Sequence, residues 1–211
     1  MNMPRRFAMP LALGYLLSLV FVITAIAAPK IPKSRLSNGV YTSPGGGYAV
    51  RVPTSSEWGG RAEEVQPGPQ THGVMFTDDF GHAFYILVTD NSKTEMSLDS
   101  IATEYSIGEL LREKEFVKTT RGAELRLVGI NKGGCPTVVR TKKDGKWVEE
   151  KEDAVEAWSL FLQGDNIFQV TAGVPLRPTE GLAEAQAVEA AKQGLHRLLE
   201  GLAIPAPPAK R

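Results

Sequence analysis

Cysteine is nearly missing from this chain. Cys135 is the single one among 211 residues, so no intramolecular disulfide can form and no paired-Cys metal motif exists. Neither sign of charge is in excess: 24 Lys and Arg stand against 24 Asp and Glu. Such a balance gives no electrostatic case for nucleic acid or for an anionic membrane surface. Histidine is scarce, with 3 residues, and neither His-Glu-x-x-His nor Gly-x-Ser-x-Gly occurs. The run Gly45-Gly46-Gly47 lacks the Lys-Ser/Thr and the following helix that a phosphate cradle needs, so it reads as a turn between strands. The familiar hydrolase, zinc-protease and nucleotide-binding signatures are therefore excluded.

What the chain does have is a strongly patterned N-terminus. Arg5 and Arg6 precede an apolar run from Leu11 to Ile26, which closes in Ala25-Ile26-Ala27-Ala28. A positive start, an apolar middle and small residues at a cleavage site make an export signal. Residues 1–27 read as a signal peptide cleaved after Ala27, by the general secretory route, with the protein periplasmic or secreted. The alternative is an uncleaved anchor, since at ~1.5 Å per residue Leu11 to Ala28 nearly spans ~30 Å of hydrocarbon. Loss of Arg5 and Arg6 with no acid would leave 22 basic against 24 acidic residues, a net charge of −2. An exported chain without disulfides must rely on its hydrophobic core.

Residues 28–39 hold Pro29, Pro32, Lys30, Lys33 and Arg35 without an apolar period and read as a linker. Residues 40–202 read as one α+β domain, and 203–211 as a Pro/Ala tail that cannot form a regular element. Within the domain, Tyr48, Val50 and Val52 alternate with Ala49 and Arg51, which predicts a half-buried strand stopped by Pro53. A loop carrying Trp58 follows, through Gly59-Gly60 to Pro67-Gly68-Pro69. Val74 and Phe76 alternate again, Asp78-Asp79-Phe80-Gly81 turns the chain, and the nearly all-apolar run His82–Thr89 predicts a strand covered on both faces. Ser97 is placed to cap a helix through Leu98, Ile101, Ala102, Tyr105, Leu110 and Leu111, weakened at Gly108. Further strands are expected around Leu125–Leu127, on both sides of Asp144-Gly145, and over Ala154–Gln163 and Ile167–Val174. Pro178-Thr179 opens a closing helix to Gly201, with Leu182, Ala185, Val188, Ala191, Leu195, Leu198 and Leu202 on its apolar stripe. Antiparallel meanders with two segregated helices define an α+β domain.

The opening Tyr41-x-Ser43-Pro44-x-Gly46-Gly47-Tyr48-x-Val50-x-Val52-Pro53, the Trp58 loop and Val74-x-Phe76-x-Asp78 resemble the start of PsbP-like domains. The mid-chain helix, the late hairpin and the closing helix extend the resemblance over residues 40–202. It implies an α/β/α sandwich and a non-enzymatic role in assembly or stabilisation of a partner. It supplies no catalytic residue and no cofactor. No Cys follows the signal, which speaks against a lipoprotein.

Candidate chemistry is thin. His72, Asp78, Asp79 and His82 are the one grouping with metal-ligand residue types, and two strands of a hairpin could bring His72 and His82 together. The plainer reading makes Asp78-Asp79-Phe80-Gly81 turn chemistry. Cys135 reads as a small apolar residue entering a strand, and His196 as a solvated residue off the apolar stripe near Lys192 and Glu200. Trp58, in its Gly/Pro-rich loop, and Trp147, on a charged hairpin, are either lids over the core or partner-binding anchors. The favoured function is an exported, non-catalytic binding or assembly-accessory protein with a protein partner in the cell envelope. The alternatives are a periplasmic metal or small-ligand carrier and a hydrolase without a recognisable motif.

Overall fold

The computed structural model describes residues 35–52, 61–78, 80–104, 111–134, 138–143, 146–176 and 183–205. The export-signal run, Trp58, Asp79, Cys135 and the end of the Pro/Ala tail lie outside them. Among the described residues no helix is long and apolar enough to cross a membrane.

The strongest apolar runs form the centre of the sheet. Strands β4 (Arg61–Gly68), β5 (Thr71–Thr77), β6 (Ala83–Asp90), β7 (Leu111–Thr119), β8 (Gly122–Asn131), β11 (Ala154–Gln163) and β12 (Asn166–Pro175) make one seven-stranded sheet in the order β4-β5-β6-β12-β11-β8-β7. Every pairing is antiparallel. Strand β6 is buried from Ala83 to Val88 and β11 from Ala154 to Leu160-Phe161, so both faces of the central strands are covered, as a run without polar alternation requires. Helix α1 (Leu98–Glu104) covers one face, packing Leu98, Ile101 and Ala102 on Leu125, Leu127, Trp158 and Leu160. Helix α2 (Glu184–Glu200) covers the other, setting Ala187, Ala191, Leu195, Leu198 and Leu199 on Val128, Ala157, Val170 and Ala172. The result is an α/β/α sandwich of the α+β class.

A small second sheet shares the α2 layer. Strands β1 (Leu36–Ser37), β2 (Val40–Thr42), β3 (Ala49–Arg51) and β13 (Leu202–Ala203) pair in the order β1-β2-β3-β13. Tyr41, Tyr48 and Val50 bury their side chains in the same core as α2. Between β2 and β3 the triglycine run forms the expected tight turn, with Gly45 at φ 73° and Gly46 at φ 72°. Strands β9 (Val138–Lys143) and β10 (Lys146–Lys151) pair antiparallel with Lys143 opposite Lys146, and Asp144-Gly145, read as their turn, lies outside the described residues.

Four sequence expectations need correction. Arg61–Gly68, read as loop, is the edge strand β4; its partly exposed face offers no apolar alternation. Leu111, placed on the first helix, opens the opposite edge strand β7, and of the rest of that expected helix Leu98–Glu104 is described while Tyr105, Gly108 and Leu110 lie outside the described residues. On α2 the buried stripe runs through Ala187, Ala191, Gly194, Leu195 and Leu198, while Ala185 is exposed and Leu202 has left the helix for β13. Leu36 and Ser37, assigned to the linker, already pair with β2.

Candidate functional site

The register places a cleft of about 200 Å³ between α2 and the β7–β8 edge. Its floor is apolar, from Val128, Ala157, Leu195 and Leu199, and its rim is charged, from Glu113, Glu115, Arg126, Lys192 and His196. Glu113 and Glu115 reach it because β7 turns these side chains to the α2 face, opposite Val128 and Arg126. A bulge between Leu111 and Glu113 puts Arg112 on that side too, where its Nε donates to Glu184 Oε1 at 2.8 Å. Lys192 Nζ donates to Glu113 at 2.6 Å, and His196 Nε2 lies 3.2 Å from Glu200 Oε1. His196 is 71% exposed, as its place off the stripe predicts.

Behind the cleft stands Glu124, a carboxylate with no exposed surface. Thr119 Oγ1 donates to it at 2.7 Å, Arg121 Nε at 3.0 Å and Ser159 Oγ at 3.0 Å. Burial pushes this carboxyl up, but the Thr119 bond, the Arg121 charge and the Ser159 bond outweigh it and hold the group below the usual range. Arg121 stacks its guanidinium over the Phe161 ring at 5.4 Å and reaches the Leu199 carbonyl, tying the turn between β7 and β8 to the last turn of α2. Arg126 donates to Glu124 only at 3.4 Å, and its buried Nε has no partner among the described residues.

A second buried carboxylate, Glu156, lies on the α1 face. Its neighbours across the sheet are Gly129 on β8 and Gly173 on β12. Asn131 Nδ2 donates to Glu156 Oε1 at 3.0 Å. Burial dominates here: hydrogen bonds from Asn131 and Trp158 pull the carboxyl down, yet it is pushed up to about 7. No sequence feature singled out Glu124 or Glu156. A Glu inside an apolar strand run was the available signal.

Of the residues proposed from sequence, Asp78 and His82 meet and His72 stands apart from them, while Asp79 and Trp58 lie outside the described residues. His72 faces Val88 on the β5–β6 ladder, whereas His82 precedes Ala83 at the other end. At ~3.3 Å per residue the two histidines are about 20 Å apart. Asp78 instead organises the turn: its Oδ1 accepts from Phe80 N at 2.9 Å and from His82 N at 2.8 Å, and its Oδ2 sits 2.7 Å from His82 Nδ1. Gly81 takes φ 86°, so the turn chemistry read from Asp78 to Gly81 is what forms. Among the described residues no group of three or more His, Cys, Asp or Glu converges as metal ligands would. Trp147 lies on β10 opposite Lys142, its side chain outside what is described. Among the described side chains, the large aromatics that stand out to solvent are Phe80, 67% exposed beside this turn, and Phe116, 52% exposed on β7.

No family model matches the chain, and no curated protein does. Among solved structures it is similar to the cyanobacterial PsbP of Synechocystis sp. PCC 6803, at TM-score 0.40 and 8% identity over 79% of this chain and 91% of that one. It is also similar to the Ran-binding protein Mog1p of Saccharomyces cerevisiae, at TM-score 0.43 and 13% identity over 81% of this chain and 97% of that one. A protein of Bacteroides thetaiotaomicron matches at TM-score 0.41 and 14% identity over 82% of this chain, which spans 50% of that longer one. PsbP thus stands among the structures that the order of elements in the sequence resembles. These likenesses concern the course of the backbone and carry no residue or activity across.

Proposed function

We propose that this protein is an exported, non-catalytic binding or assembly-accessory domain that docks a protein partner in the cell envelope at the cleft between α2 and β7. One observation carries this reading. The cleft holds about 200 Å³, below the ~300–1,000 Å³ of sites that enclose a small molecule, and it opens directly onto the exposed edge strand β7, whose Glu113 and Glu115 line it. A cleft of that size takes one or two side chains of a partner. Of its rim charges, Lys192 is paired with Glu113 and His196 with Glu200, while Glu115 faces the opening without a side-chain partner among the described residues, an arrangement that offers a partner a charge to meet. Export is supported by Arg5-Arg6, the apolar run and the Ala25-x-Ala27 end.

Two measurements test it. The intact mass of protein from the envelope fraction should lack Met1 to Ala27; a mass that includes them means an anchor. A photo-crosslinking benzoylphenylalanine at position 115 should capture one discrete envelope protein, while the same group at position 61, on the opposite sheet edge, should not. Equal capture from both edges would sink the docking site.

A further inference from the structure

We infer that β7 is an acceptor edge for an added strand, and that the strand it accepts runs antiparallel with the order acidic, apolar, apolar, basic. This rests on the docking reading above and names the chemistry of the partner. The sheet has two edges, and they are not equivalent. Strand β4 is blunted by a register break between Val65 and Gly68 and by Pro67, which has no amide to donate. From Glu113 to Thr119, β7 pairs with β8 without a break, has no proline, and is exposed from Arg112 through Phe116. It is the last strand of the sheet among the described residues.

The side chains of β7 specify what could lie beside it. Glu115 and Val117 point to the α2 face, and Phe116 and Lys118 to the α1 face, opposite Leu125 and Ala123. Glu115 and Lys118 make no side-chain hydrogen bond or ion pair among the described residues. Directly opposed residues of antiparallel strands share a face, and opposite charges there stabilise while like charges repel. An antiparallel partner therefore meets Lys118 with Asp or Glu, Val117 and Phe116 with apolar residues, and Glu115 with Lys or Arg. That basic residue arrives at the rim of the α2 cleft, which Glu115 lines. The antiparallel direction continues a sheet in which every pairing is antiparallel.

A second copy of β7 is a poor occupant. Two-fold pairing centred on Phe116 sets Lys114 against Lys118; centred on Glu115 it sets Glu115 against itself; centred on Lys114 it sets Glu113 against Glu115. A register centred on Val117 avoids these clashes but overlaps only from Glu115 to the strand end at Thr119. Charges alone would also guard an edge against aggregation, but a guarded edge has no use for a Phe that is 52% exposed at its middle.

The test uses the mature protein and short capped peptides as probes. A peptide with the core Asp-Val-Phe-Lys should bind, shifting backbone amides of β7 in NMR spectra. It should bind about tenfold tighter than Asp-Val-Phe-Asp or Lys-Val-Phe-Lys, each of which can satisfy one charge and must oppose the other. The double variant Glu115→Lys, Lys118→Glu should invert the preference between Asp-Val-Phe-Lys and Lys-Val-Phe-Asp. Equal affinity for all peptides, or no binding up to about 1 mM, overturns the proposal. So does a tighter Lys-Val-Phe-Asp, which signals parallel addition, and so does a stable dimer dispersed by Val117→Lys. Failure here with a discrete crosslink from position 115 leaves the docking cleft standing and removes the added strand alone.

Discussion

Glu124 and Glu156 are both glutamates within apolar strands and both buried, yet their carboxyls shift in opposite directions. Glu124 faces α2 and is met by Thr119, Arg121 and Ser159, so its charge is retained. Glu156 faces the α1 side, flanked by Gly129 and Gly173, and at 4% exposure its desolvation wins. This has a consequence for stability. The folded carboxyl titrates at about 7 against 4.5 for the free group. Between those values the folded state keeps a proton that the unfolded chain releases, so stability present below pH 4.5 is lost as the pH rises through 7. Glu156→Gln cannot ionise and keeps an acceptor for Asn131. Its stability relative to the parent should therefore rise by on the order of 3 kcal/mol between acid and mildly alkaline pH. Urea unfolding of both proteins across that range measures the difference; a flat difference would mean that Glu156 is charged in the fold and paired.

At the scale of elements, α2 is the best-determined piece. Its stripe is apolar but interrupted by Gly194, which a propensity argument would replace. The structure argues otherwise, because a Cβ at Gly194 would lie 2.9 Å from a Phe84 ring carbon and 3.2 Å from Ala172 Cβ. Gly194→Ala should lose ~1–3 kcal/mol to overpacking instead of gaining the ~1 kcal/mol of helix propensity. One position on, Leu195→Ala should cost ~2–5 kcal/mol, while the adjacent solvated His196→Ala should stay within ~0.5 kcal/mol. Chemical unfolding of the three variants decides it, and a neutral Leu195→Ala would mean that the helix is not docked. The same contrast of environments explains what the sequence made legible. Strands buried on both faces, β6, β11 and β12, announce themselves as long apolar runs, and α2 by its period. The edge strands do not: β4 and β7 carry Glu63-Glu64 and Arg112-Glu113-Lys114-Glu115, since half of each lies against water and neither needs apolar alternation. The cleft hid for the same reason, being built from one of those edges and from residues of α2 that are distant in sequence.

For the molecule as a whole, a chain with one Cys has no covalent clamp, and the two ends of the domain are joined by backbone pairing instead. Strand β13, directly after α2, pairs Leu202 with Val50 and Ala203 with Ala49, and Arg51 N donates to Gly201 O at 3.0 Å. Leu202 enters the same core as Tyr41, Tyr48 and the α2 stripe. The small sheet is thus completed only when the last described strand is in place, and each end depends on the other. Leu202→Ala removes a buried side chain at this closure and should cost ~2–5 kcal/mol. If the ends are coupled as drawn, the loss is local as well as global. Amide exchange should accelerate most at Arg51, whose partner is Gly201, and least in β11 and β12, which the seven-stranded sheet holds on both sides. Exchange that rises equally in β3 and β11 would show that the small sheet opens only when the whole domain does, and an unchanged unfolding midpoint would show that β13 closes nothing.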